Sequence, residues 1–423
     1  MAIFSPYRIK HILLDSREEF LKEAPNEGEN FYYVFWWKKI PLGHLYWDEH
    51  QKPEQLGEKI LEAILPSLTY YIPNQEHIYR LKPIIEGKDF LELSSILDPF
   101  FDKYQATKSP LFLDLSVVIC TRNRSENLKT CLKSISSLQY PPNEIIVIDN
   151  APEDSSTQEV TNLFPHVTYY KEERPGLDIA RNTGAKLAHS NLIAYTDDDV
   201  SVDPLWSYRV WETFSNPEID AMTGLVLASQ IETESQFIFE KFWGFNRGYQ
   251  DVCYNSDFIY KSDSIPRVWE IGAGANMAFR KSAIESVNYF DDRLDVGAAG
   301  CSGDSEIWFR ILAKGMKMQY NPRAIVFHEH RQEINQLQKQ LYNYMRGHAA
   351  SVLIQHNQLP KIGYDNYLYF EMSKYYLFLI RMGFPHYNLR YRTVWSEIKG
   401  LLSGIRFFQK HKNKSTLSSQ SNG

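Results

Sequence analysis

The most informative stretch of the chain is LIAYTDDDV (Leu192–Val200), in which an apolar run suited to a buried strand passes directly into three aspartates. Like charges this close repel one another. The negative charges of Asp197, Asp198 and Asp199 therefore destabilise the fold unless a cation compensates them. Carboxylate oxygens suit hard divalent ions such as Mg²⁺ and Mn²⁺. The sequence therefore predicts a metal site at the end of this strand, and the alternative is a solvated acidic turn.

Strands alternate with helices in the part of the chain that leads to this stretch. The predicted strands are Ser116–Cys120, Glu144–Asp149, Val167–Tyr170 and Leu192–Thr196, and the predicted helices are Glu126–Leu138 and Leu177–His189. Such alternation implies a parallel sheet with right-handed crossovers. In sheets of this kind ligands bind outside the carboxyl ends of the strands, so the polar residues that follow each strand are the first candidates for a site.

Polar residues also follow the first two predicted strands. The first strand runs into Thr121, Arg122 and Arg124 just before a helix, where backbone N–H groups and arginines suit a phosphate or a ribose. A solvated loop is the alternative. The second strand ends in Asp149 and Asn150, and this carboxylate is suited either to a base or ribose or to capping a turn.

The composition excludes several classes of protein. A formal net charge of −6 over 423 residues gives no global positive field, so no nucleic-acid partner is expected. The four cysteines match no zinc framework and fit a reducing compartment. The N-terminus is interrupted by charges too early for a signal peptide, and no apolar run is long enough to predict a spanning helix. The protein is expected in the cytoplasm, with peripheral contact at the inner face of the membrane left open.

The chain divides into four predicted regions. Residues 1–110 form an accessory domain, with a β-hairpin at Phe31–Trp47 that is expected to turn at Pro41–Gly43. Its predicted helices are Glu54–Ile64 and Leu91–Tyr104, and its predicted linker is Lys108–Pro110. The remaining regions are an α/β domain at 113–335, a helical region at 336–410 and a disordered tail at 411–423.

Seven motifs in the same order resemble the inverting family 2 glycosyltransferases. They are VVICTRNR (Val117–Arg124), VIDN (Val147–Asn150), RPGLDIARNTGAKLA (Arg174–Ala188), TDDDV (Thr196–Val200), GAGANMAFR (Gly272–Arg280), GDSEIWFRILAKG (Gly303–Gly315) and VFHEHR (Val326–Arg331). The resemblance implies the GT-A fold, an α/β, Rossmann-like, mostly parallel sheet flanked by helices. It also implies that a nucleotide sugar is used.

On the donor side, the resemblance implies that Thr121, Arg122, Arg124 and Asp149 hold the nucleotide. It adds Arg174 and a helix face formed by Asp178, Arg181 and Asn182, whose spacing places them together. The alternative for this helix is packing, with a surface ion pair between Asp178 and Arg181. The glycine-rich stretch with Asn276 would border the donor sugar, or else form a tight turn without a ligand.

The resemblance also implies a set of metal ligands. Asp197 and Asp199 match the ends of the family's D-x-D motif and would bind Mn²⁺ or Mg²⁺, while Asp198 would contact ribose. The H-x-H pair follows a short predicted strand, and His328 would be the third protein ligand. His330 and Arg331 would face phosphate.

The catalytic base is expected at Asp304. Inverting transfer needs a carboxylate that takes the proton of the acceptor hydroxyl. In the family an Asp preceded by Glu begins a helix, whereas Gly303 precedes Asp304 in this chain. This departure leaves two alternatives open, namely that Glu306 contributes to the base and that Asp304 is only the N-cap of its helix.

The sequence thus predicts transfer of a sugar from a nucleoside-diphosphate sugar, with a UDP-sugar favoured, to a saccharide or a lipid-linked acceptor. Two alternatives are an inactive nucleotide- or sugar-binding module and a sugar nucleotidyltransferase, although TRNRSEN (Thr121–Asn127) lacks the glycines expected of the latter. The stretch Tyr367–Phe384 is read either as a packed helix or as a helix on a membrane surface. Polysaccharide or glycoconjugate synthesis is the expected setting, by analogy alone.

Overall fold

The computed structural model describes residues 4–20, 28–106, 113–261 and 264–412. These residues form a three-stranded sheet and a nine-stranded sheet, each with helices packed against it. The predicted linker at Lys108–Pro110 lies outside the described residues, and so do residues 413–423 of the predicted disordered tail.

The N-terminal region is a small sheet covered by helices. Its strands are β1 (Tyr7–Leu13), β2 (Asn30–Trp37) and β3 (Ile40–Trp47), and its helices are α1 (Arg17–Phe20), α2 (Leu56–Tyr71), α3 (Gln75–Glu86) and α4 (Phe90–Phe101). β1 runs parallel to β2, and β2 and β3 form the predicted hairpin. The helices predicted within α2 and α4 are confirmed, whereas α3 was not predicted.

The hairpin turns at Lys38 and Lys39, so the predicted turn at Pro41–Gly43 is wrong. Both lysines have positive φ angles, 46° and 64°, which suit a two-residue turn whose twist matches the flanking strands. Gly43 instead lies within β3, where a Cβ would be 2.7 Å from the carbonyl carbon of Ala63. This glycine therefore lets α2 approach the strand closely.

Strand β2 is buried on both faces because it lies between two cores. Successive side chains of a strand point to opposite faces. Phe31, Tyr33, Phe35 and Trp37 pack against α2–α4. The intervening Tyr32, Val34 and Trp36 pack against residues of the large sheet, including Leu225, Leu227 and Ile325. The aromatic run thus joins the N-terminal region to the rest of the protein.

The large sheet carries the predicted β–α alternation. Its strands are β4 (Leu113–Thr121), β5 (Pro142–Asn150), β6 (Val167–Glu172), β7 (Leu192–Asp197), β8 (Val200–Val202), β9 (Ile219–Ala228), β10 (Val252–Tyr254), β11 (Asn276–Arg280) and β12 (Lys317–His328). Their order is β10-β12-β9-β11-β7-β4-β5-β6, and β8 pairs with β12. The half from β7 to β6 is parallel, as predicted, but β11 runs antiparallel between β7 and β9. The sheet is therefore mixed.

Helices cover both faces of this sheet. They are α5 (Ser125–Ser136), α6 (Ser156–Thr161), α7 (Leu177–Leu187), α8 (Trp206–Thr213), α9 (Glu234–Trp243), α10 (Ser256–Tyr260), α11 (Lys281–Ser286) and α12 (Gly303–Ala313). α5 and α8 pack on one face, and α7 and α12 pack on the other. Every helix and strand predicted in this region is confirmed within a few residues at its ends.

The C-terminal region is helical, as predicted. It contains α13 (Ile334–Gln358), α14 (Tyr364–Asn366), α15 (Met372–Gly383) and α16 (Val394–His411), with one π-helical turn at Tyr367–Glu371. Glycines at 400 and 404 let α16 pack directly against the backbone of α13, since a Cβ at either position would overlap a carbonyl oxygen. Among the described residues, no helix is long and apolar enough to cross a membrane.

Candidate functional site

A deep cleft opens at the carboxyl ends of the parallel strands, where the topology predicts a ligand site. Its volume is about 1150 Å³. Small-molecule pockets usually measure about 300–1,000 Å³, so the cleft has room for more than one ligand. The predicted site residues that line it are Thr121, Arg122, Arg124, Arg181, Asp197, Asp198, Asp199, Asp304, His328 and Arg331.

The three predicted metal ligands converge in this cleft. One potential ligand atom from each of Asp197, Asp199 and His328 lies within 4.8 Å of the other two. The sheet produces this meeting, because β12 pairs with β8 so that His328 stands opposite Val200. Nε2 of His328 is 3.4 Å from Oδ1 of Asp199. Two carboxylates and an imidazole form a donor set that fits a divalent cation.

The electrostatics of this cluster also suit a cation. Burial and the neighbouring Asp199 raise the pKa of Asp197 to about 7, because its charged form is crowded. Burial alone would raise the pKa of Asp199, but His328 and Arg124 outweigh it and lower that pKa to about 2. Burial lowers the pKa of His328 to about 4, despite the attraction of Asp199. The imidazole is therefore neutral, which is the form that binds a metal.

Thr121 and Arg124 hold the aspartates that follow β7. The hydroxyl of Thr121 donates to Asp198 at 2.7 Å. The guanidinium of Arg124 donates to Asp198 at 2.6 Å and to Asp199 at 2.7 Å. Among the described residues, no hydrogen bond or ion pair reaches the carboxylate of Asp197. The residues at the end of the first strand thus fix Asp198. Asp197 faces the cleft without a direct partner among the described residues, and the attraction of Arg181 does not offset its burial and the repulsion from Asp199.

A chain of hydrogen bonds runs from His328 into the N-terminal sheet. Nδ1 of His328 is 3.2 Å from Nδ1 of His330, and Nε2 of His330 is 2.8 Å from Glu240. The hydroxyl of Tyr32 donates to the other oxygen of Glu240 at 3.2 Å. A carboxylate only accepts, so Nε2 of His330 carries a proton and its Nδ1 accepts from His328. This order leaves the lone pair of His328 Nε2 facing Asp199.

His330 therefore does not face phosphate, and that prediction is wrong. Its side chain is almost fully buried against Glu240 and Phe239. Because His330 is buried behind His328, only His328 of the two reaches the cleft wall. Partners of this kind orient metal-binding histidines and raise their basicity.

Replacing Glu240 with Gln is expected to lower the affinity for Mn²⁺ about tenfold to a hundredfold. The hydroxyl of Tyr32 donates to one oxygen of Glu240, and in Gln that position would be taken by the amide oxygen. The amide nitrogen would then face His330 and donate to it, which reverses the hydrogen bonds and places a proton on Nε2 of His328. Isothermal titration calorimetry measures the affinity. Tyr32→Phe is the matched control, because it removes one hydrogen bond to Glu240 without reversing the chain, and its loss should be smaller. Unchanged Mn²⁺ affinity in the Gln variant would contradict this order of donors.

Asp304 lies in the first turn of α12 and faces the same cleft. One of its oxygens accepts from the backbone of Gly274 at 2.8 Å, and the other accepts from the backbone of Ser305 at 2.7 Å. Burial and the nearby Asp295 raise its pKa, although Arg181 opposes them. The carboxylate is thus held in one orientation and made more basic than an exposed aspartate.

Both alternatives for this helix start are wrong. The helix begins at Gly303 and the N-cap position is Ser302, with a positive φ of 75°, so Asp304 is not the cap. Glu306 is fully buried and forms a bidentate ion pair with Arg310, so it cannot contribute to a base in the cleft.

Arg181 forms a buried ion-pair cluster. Its guanidinium is 3.0 Å from Asp178 and 2.6 Å from Asp295, and all three side chains are almost inaccessible to solvent. The proposed surface ion pair of α7 is therefore a buried one, with Asp178 beneath the cleft and Arg181 lining it. Asp295 was not predicted as a site residue. It lies in the irregular stretch Asp291–Ser302, where no sequence pattern distinguishes Asp295 from the neighbouring aspartates.

The buried Asp178 explains the glycine that departs from the family pattern. A Cβ on Gly303 would lie 2.6 Å from Cγ of Asp178 and closer still to its oxygens. Any larger residue at 303 would collide with the carboxylate that pairs with Arg181. The departure thus belongs to the packing of α12 against α7.

Gly303→Ala is therefore expected to destabilise the protein by roughly 1–3 kcal/mol, the usual range for overpacking. Chemical denaturation measures this loss. Gly57→Ala is the matched control, because its Cβ would meet Glu86 at an ordinary 3.6 Å within α2 and should leave stability unchanged or raise it. A Gly303→Ala variant as stable as wild type would show that Asp178 moves aside freely.

Two asparagines that were predicted at the donor site serve the backbone instead. Asn276 is fully buried, and its amide donates to the carbonyls of Leu225 and Ala324, where the pairing of β9 with β12 is irregular. Its oxygen accepts from Trp206. Asn182 exchanges two hydrogen bonds with the backbone of Phe290. Neither side chain lines the cleft, so both predictions are wrong.

Asp149 and Arg174 also lie away from the cleft wall. Asp149 is fully buried at the end of β5 and accepts from the hydroxyl of Tyr169 at 2.9 Å, and burial raises its pKa. Arg174 is exposed and binds Glu172 through two nitrogens. The structure thus gives Asp149, Arg174 and Asp178 protein partners, and it does not place them with the metal cluster.

The C-terminal region contributes an aromatic wall that was not predicted. Trp269 stacks on Tyr367 with ring centroids 5.4 Å apart, and His348 packs edge-on against Trp269. Tyr344 and Tyr375 line the same side. Only the fold shows which of the chain's aromatic rings reach the cleft. Rings of this kind can stack on sugars.

Comparisons with known proteins find one matching family model and several similar glycosyltransferases. A family model described as Glycosyl transferase family 2 matches residues 116–287. A glucosyl-dolichyl phosphate glucuronosyltransferase from Haloferax volcanii is 24% identical over 231 residues, which are 51% of this chain and 69% of that protein. A poly-beta-1,6-N-acetyl-D-glucosamine synthase from Staphylococcus epidermidis is 26% identical over 240 residues, covering 55% of this chain and 54% of the synthase.

Among solved structures, a mannosyltransferase from Pyrobaculum calidifontis in complex with GDP-Man and Mn²⁺ is similar with a TM-score of 0.43 and 15% identity. The match covers 75% of this chain and 79% of the mannosyltransferase. The family match and the helix-flanked central sheet confirm the predicted GT-A-like fold class.

Proposed function

We propose that this chain, whose residues 116–287 match the Glycosyl transferase family 2 model, transfers a sugar from a nucleoside-diphosphate sugar to an acceptor hydroxyl with inversion. The observation that carries the proposal is the placement of the Asp197, Asp199 and His328 cluster and of Asp304 in one cleft. A metal-binding group and a base in one cavity are what direct displacement of a diphosphate leaving group requires.

On the donor side, Asp197, Asp199 and His328 would hold a divalent cation. When bound, the cation neutralises the diphosphate as it leaves. Mn²⁺ is favoured over Mg²⁺, because imidazole suits later transition metals and Mg²⁺ prefers oxygen ligands. Phosphate oxygens would be bound by Arg331, which is 3.6 Å from Asp199, and by Arg122, which is exposed at the cleft.

On the acceptor side, Asp304 takes the proton of the attacking hydroxyl. The backbone N–H groups of Gly274 and Ser305 hold its carboxylate, so it does not need to reorient during the reaction. Arg181 lies close to both Asp304 and Gly274. Its positive charge opposes the rise in the pKa of Asp304 that Asp295 causes. The hydroxyl oxygen then attacks the anomeric carbon from the face opposite the diphosphate, and the configuration inverts.

The acceptor is a saccharide or a lipid-linked glycan, in polysaccharide or glycoconjugate synthesis. The similarity to a glucosyl-dolichyl phosphate glucuronosyltransferase and to a poly-beta-1,6-N-acetyl-D-glucosamine synthase supports both classes. A UDP-sugar is the first donor to test. The packing of Gly303 against Asp178 gives a structural reason for the departure from the family pattern, so the departure does not favour an inactive module.

A product assay tests this function. The purified chain is incubated with a panel of UDP- and GDP-sugars, Mn²⁺ and candidate acceptors, and released nucleoside diphosphate and pyrophosphate are measured separately. Acceptor-dependent release of nucleoside diphosphate is expected. Release of pyrophosphate would indicate a nucleotidyltransferase, and nucleotide binding without any turnover would indicate an inactive binding module.

A further inference from the structure

The surface of the C-terminal helices is unusually apolar. Of the twenty large apolar side chains exposed among the described residues, ten lie between residues 369 and 402. In and just before α15, Phe370, Leu377, Phe378 and Met382 are each more than half exposed. Their spacing of seven, eight and twelve residues places them on one face of the helix. An apolar patch this concentrated marks an interaction surface.

This face is separate from the one that packs on the protein. Leu368, Tyr376 and Leu379 point inward and are buried in the main core. A helix at a protein surface normally presents polar side chains on its outer face. The segment Tyr367–Phe384 is thus a packed helix, as one of the two predictions had it, and its outward face is also apolar.

The charge of the same region is positive. Residues 369–406 contain six lysines and arginines against two glutamates, an excess of four positive charges in a chain whose net charge is −6. One of the glutamates, Glu397, is fully buried in an ion pair with Arg390, and the other, Glu371, lines the cleft. Arg390 and Arg392 pair with Glu397 and Glu234, so the exposed cations of the outward face are Lys374, Arg381, Lys399 and Arg406.

The cations are interleaved with the apolar side chains. Lys374 and Arg381 are exposed on α15 between the apolar residues. An equivalent exposed stripe on α16 is formed by Trp395, Lys399, Leu402 and Arg406. The two stripes adjoin at Tyr387, which packs close to Gly383 at the end of α15 and against the ring of Trp395.

We infer that this aromatic and cationic face, residues 369–406, docks on the surface of an anionic lipid bilayer, with α15 lying in the plane of the interface. Aromatic and aliphatic side chains enter the boundary between headgroups and acyl chains, and lysines and arginines bind the anionic headgroups. A second copy of the chain fits less well, because a symmetric dimer would bring two positive faces together.

The docking face adjoins the cleft. Glu371, Met372 and Tyr375 line the cleft from the same turns that carry Phe370 and Lys374. Docking would therefore hold the mouth of the cleft near the headgroups. If the proposed function holds, the acceptor is attached to a lipid, and this one consequence rests on the proposed function, whereas docking itself does not.

Vesicle flotation of the full chain tests the inference without any sugar donor. Vesicles of phosphatidylcholine with 30% phosphatidylglycerol, roughly the anionic fraction at which electrostatic binding is strong, are compared with pure phosphatidylcholine. We expect at least about tenfold stronger partitioning to the anionic vesicles. Leu377→Ser with Phe378→Ser should lower that partitioning at least about tenfold, since it removes the apolar contact.

The matched control is Tyr79→Ser with Leu91→Ser, which removes two equally exposed apolar side chains from α3 and α4. This variant should bind vesicles like wild type. Absence of wild-type binding to either vesicle, or equal losses in both double variants, would overturn the inference. Light scattering that shows a dimer in wild type and a monomer in the Leu377/Phe378 variant would overturn it in favour of a second copy.

Discussion

Asp304→Asn is expected to lower kcat for sugar transfer by about a hundredfold to ten-thousandfold, the usual contribution of a general base. The asparagine side chain has the same shape but cannot accept a proton from the acceptor hydroxyl. Donor binding should be unchanged, because the metal cluster and the first strand end are not altered. Initial rates of nucleoside diphosphate release at saturating donor and acceptor measure the effect.

The matched control for this variant is Asp203→Asn. Burial raises the pKa of Asp203 as it does that of Asp304, and Asp203 also accepts from a nearby backbone N–H, that of Leu205, at 2.8 Å. Asp203 does not line the cleft. It should therefore keep wild-type kcat. An Asp304→Asn enzyme that retains more than about a tenth of wild-type kcat would place the base elsewhere.

Asp197→Asn is expected to weaken Mn²⁺ binding at least about a hundredfold. This loss is larger than the one expected when a residue that only orients a metal ligand is replaced. The nucleoside diphosphate should then no longer raise the melting temperature in the presence of Mn²⁺. In wild type, ligand at a hundred times its Kd adds about 2.7 kcal/mol of stability. Differential scanning fluorimetry with and without Mn²⁺ measures the shift.

Without metal, the same variant should be at least as stable as wild type. Asn removes a negative charge that repels Asp199, because burial and this repulsion together outweigh the attraction of Arg181 for Asp197. Asp114→Asn is the control, because Asp114 lies at the opposite end of the sheet, bonded to Asn191, and should keep the full nucleotide-dependent shift. A normal shift in Asp197→Asn would exclude this residue as a metal ligand.

Much of the fold could be predicted from the sequence, because buried strands and amphipathic helices leave periodic patterns. The antiparallel direction of β11 could not be predicted, because the residues of a short apolar strand do not indicate whether its neighbours run parallel or antiparallel to it. The hairpin turn was misplaced for a different reason. Lys38 and Lys39 are not residues that favour positive φ angles, whereas Pro41 and Gly43 ordinarily signal turns.

The convergence of Asp197, Asp199 and His328 could be predicted because each of these residues follows or ends a strand, and strand ends meet at one edge of a sheet. Asp295 and Glu240 could not, since one lies in an irregular loop and the other in a helix that reaches the site from behind. Asn182 and Asn276 were misassigned because a polar side chain in a motif looks the same whether it binds a ligand or a carbonyl. Only the irregular pairing of β9 and β12 shows what Asn276 is for.

The double-sided burial of β2 has a consequence for how this protein can be divided or recombined. One face of β2 belongs to the core of the N-terminal region, while Tyr32, Val34 and Trp36 complete the core of the large sheet. An excised catalytic half would expose Leu225, Leu227 and their neighbours and would lose the hydroxyl that bonds Glu240. The N-terminal region and the region of the large sheet are therefore expected to fold together. The large-sheet region could be moved into another protein only together with a strand that replaces β2.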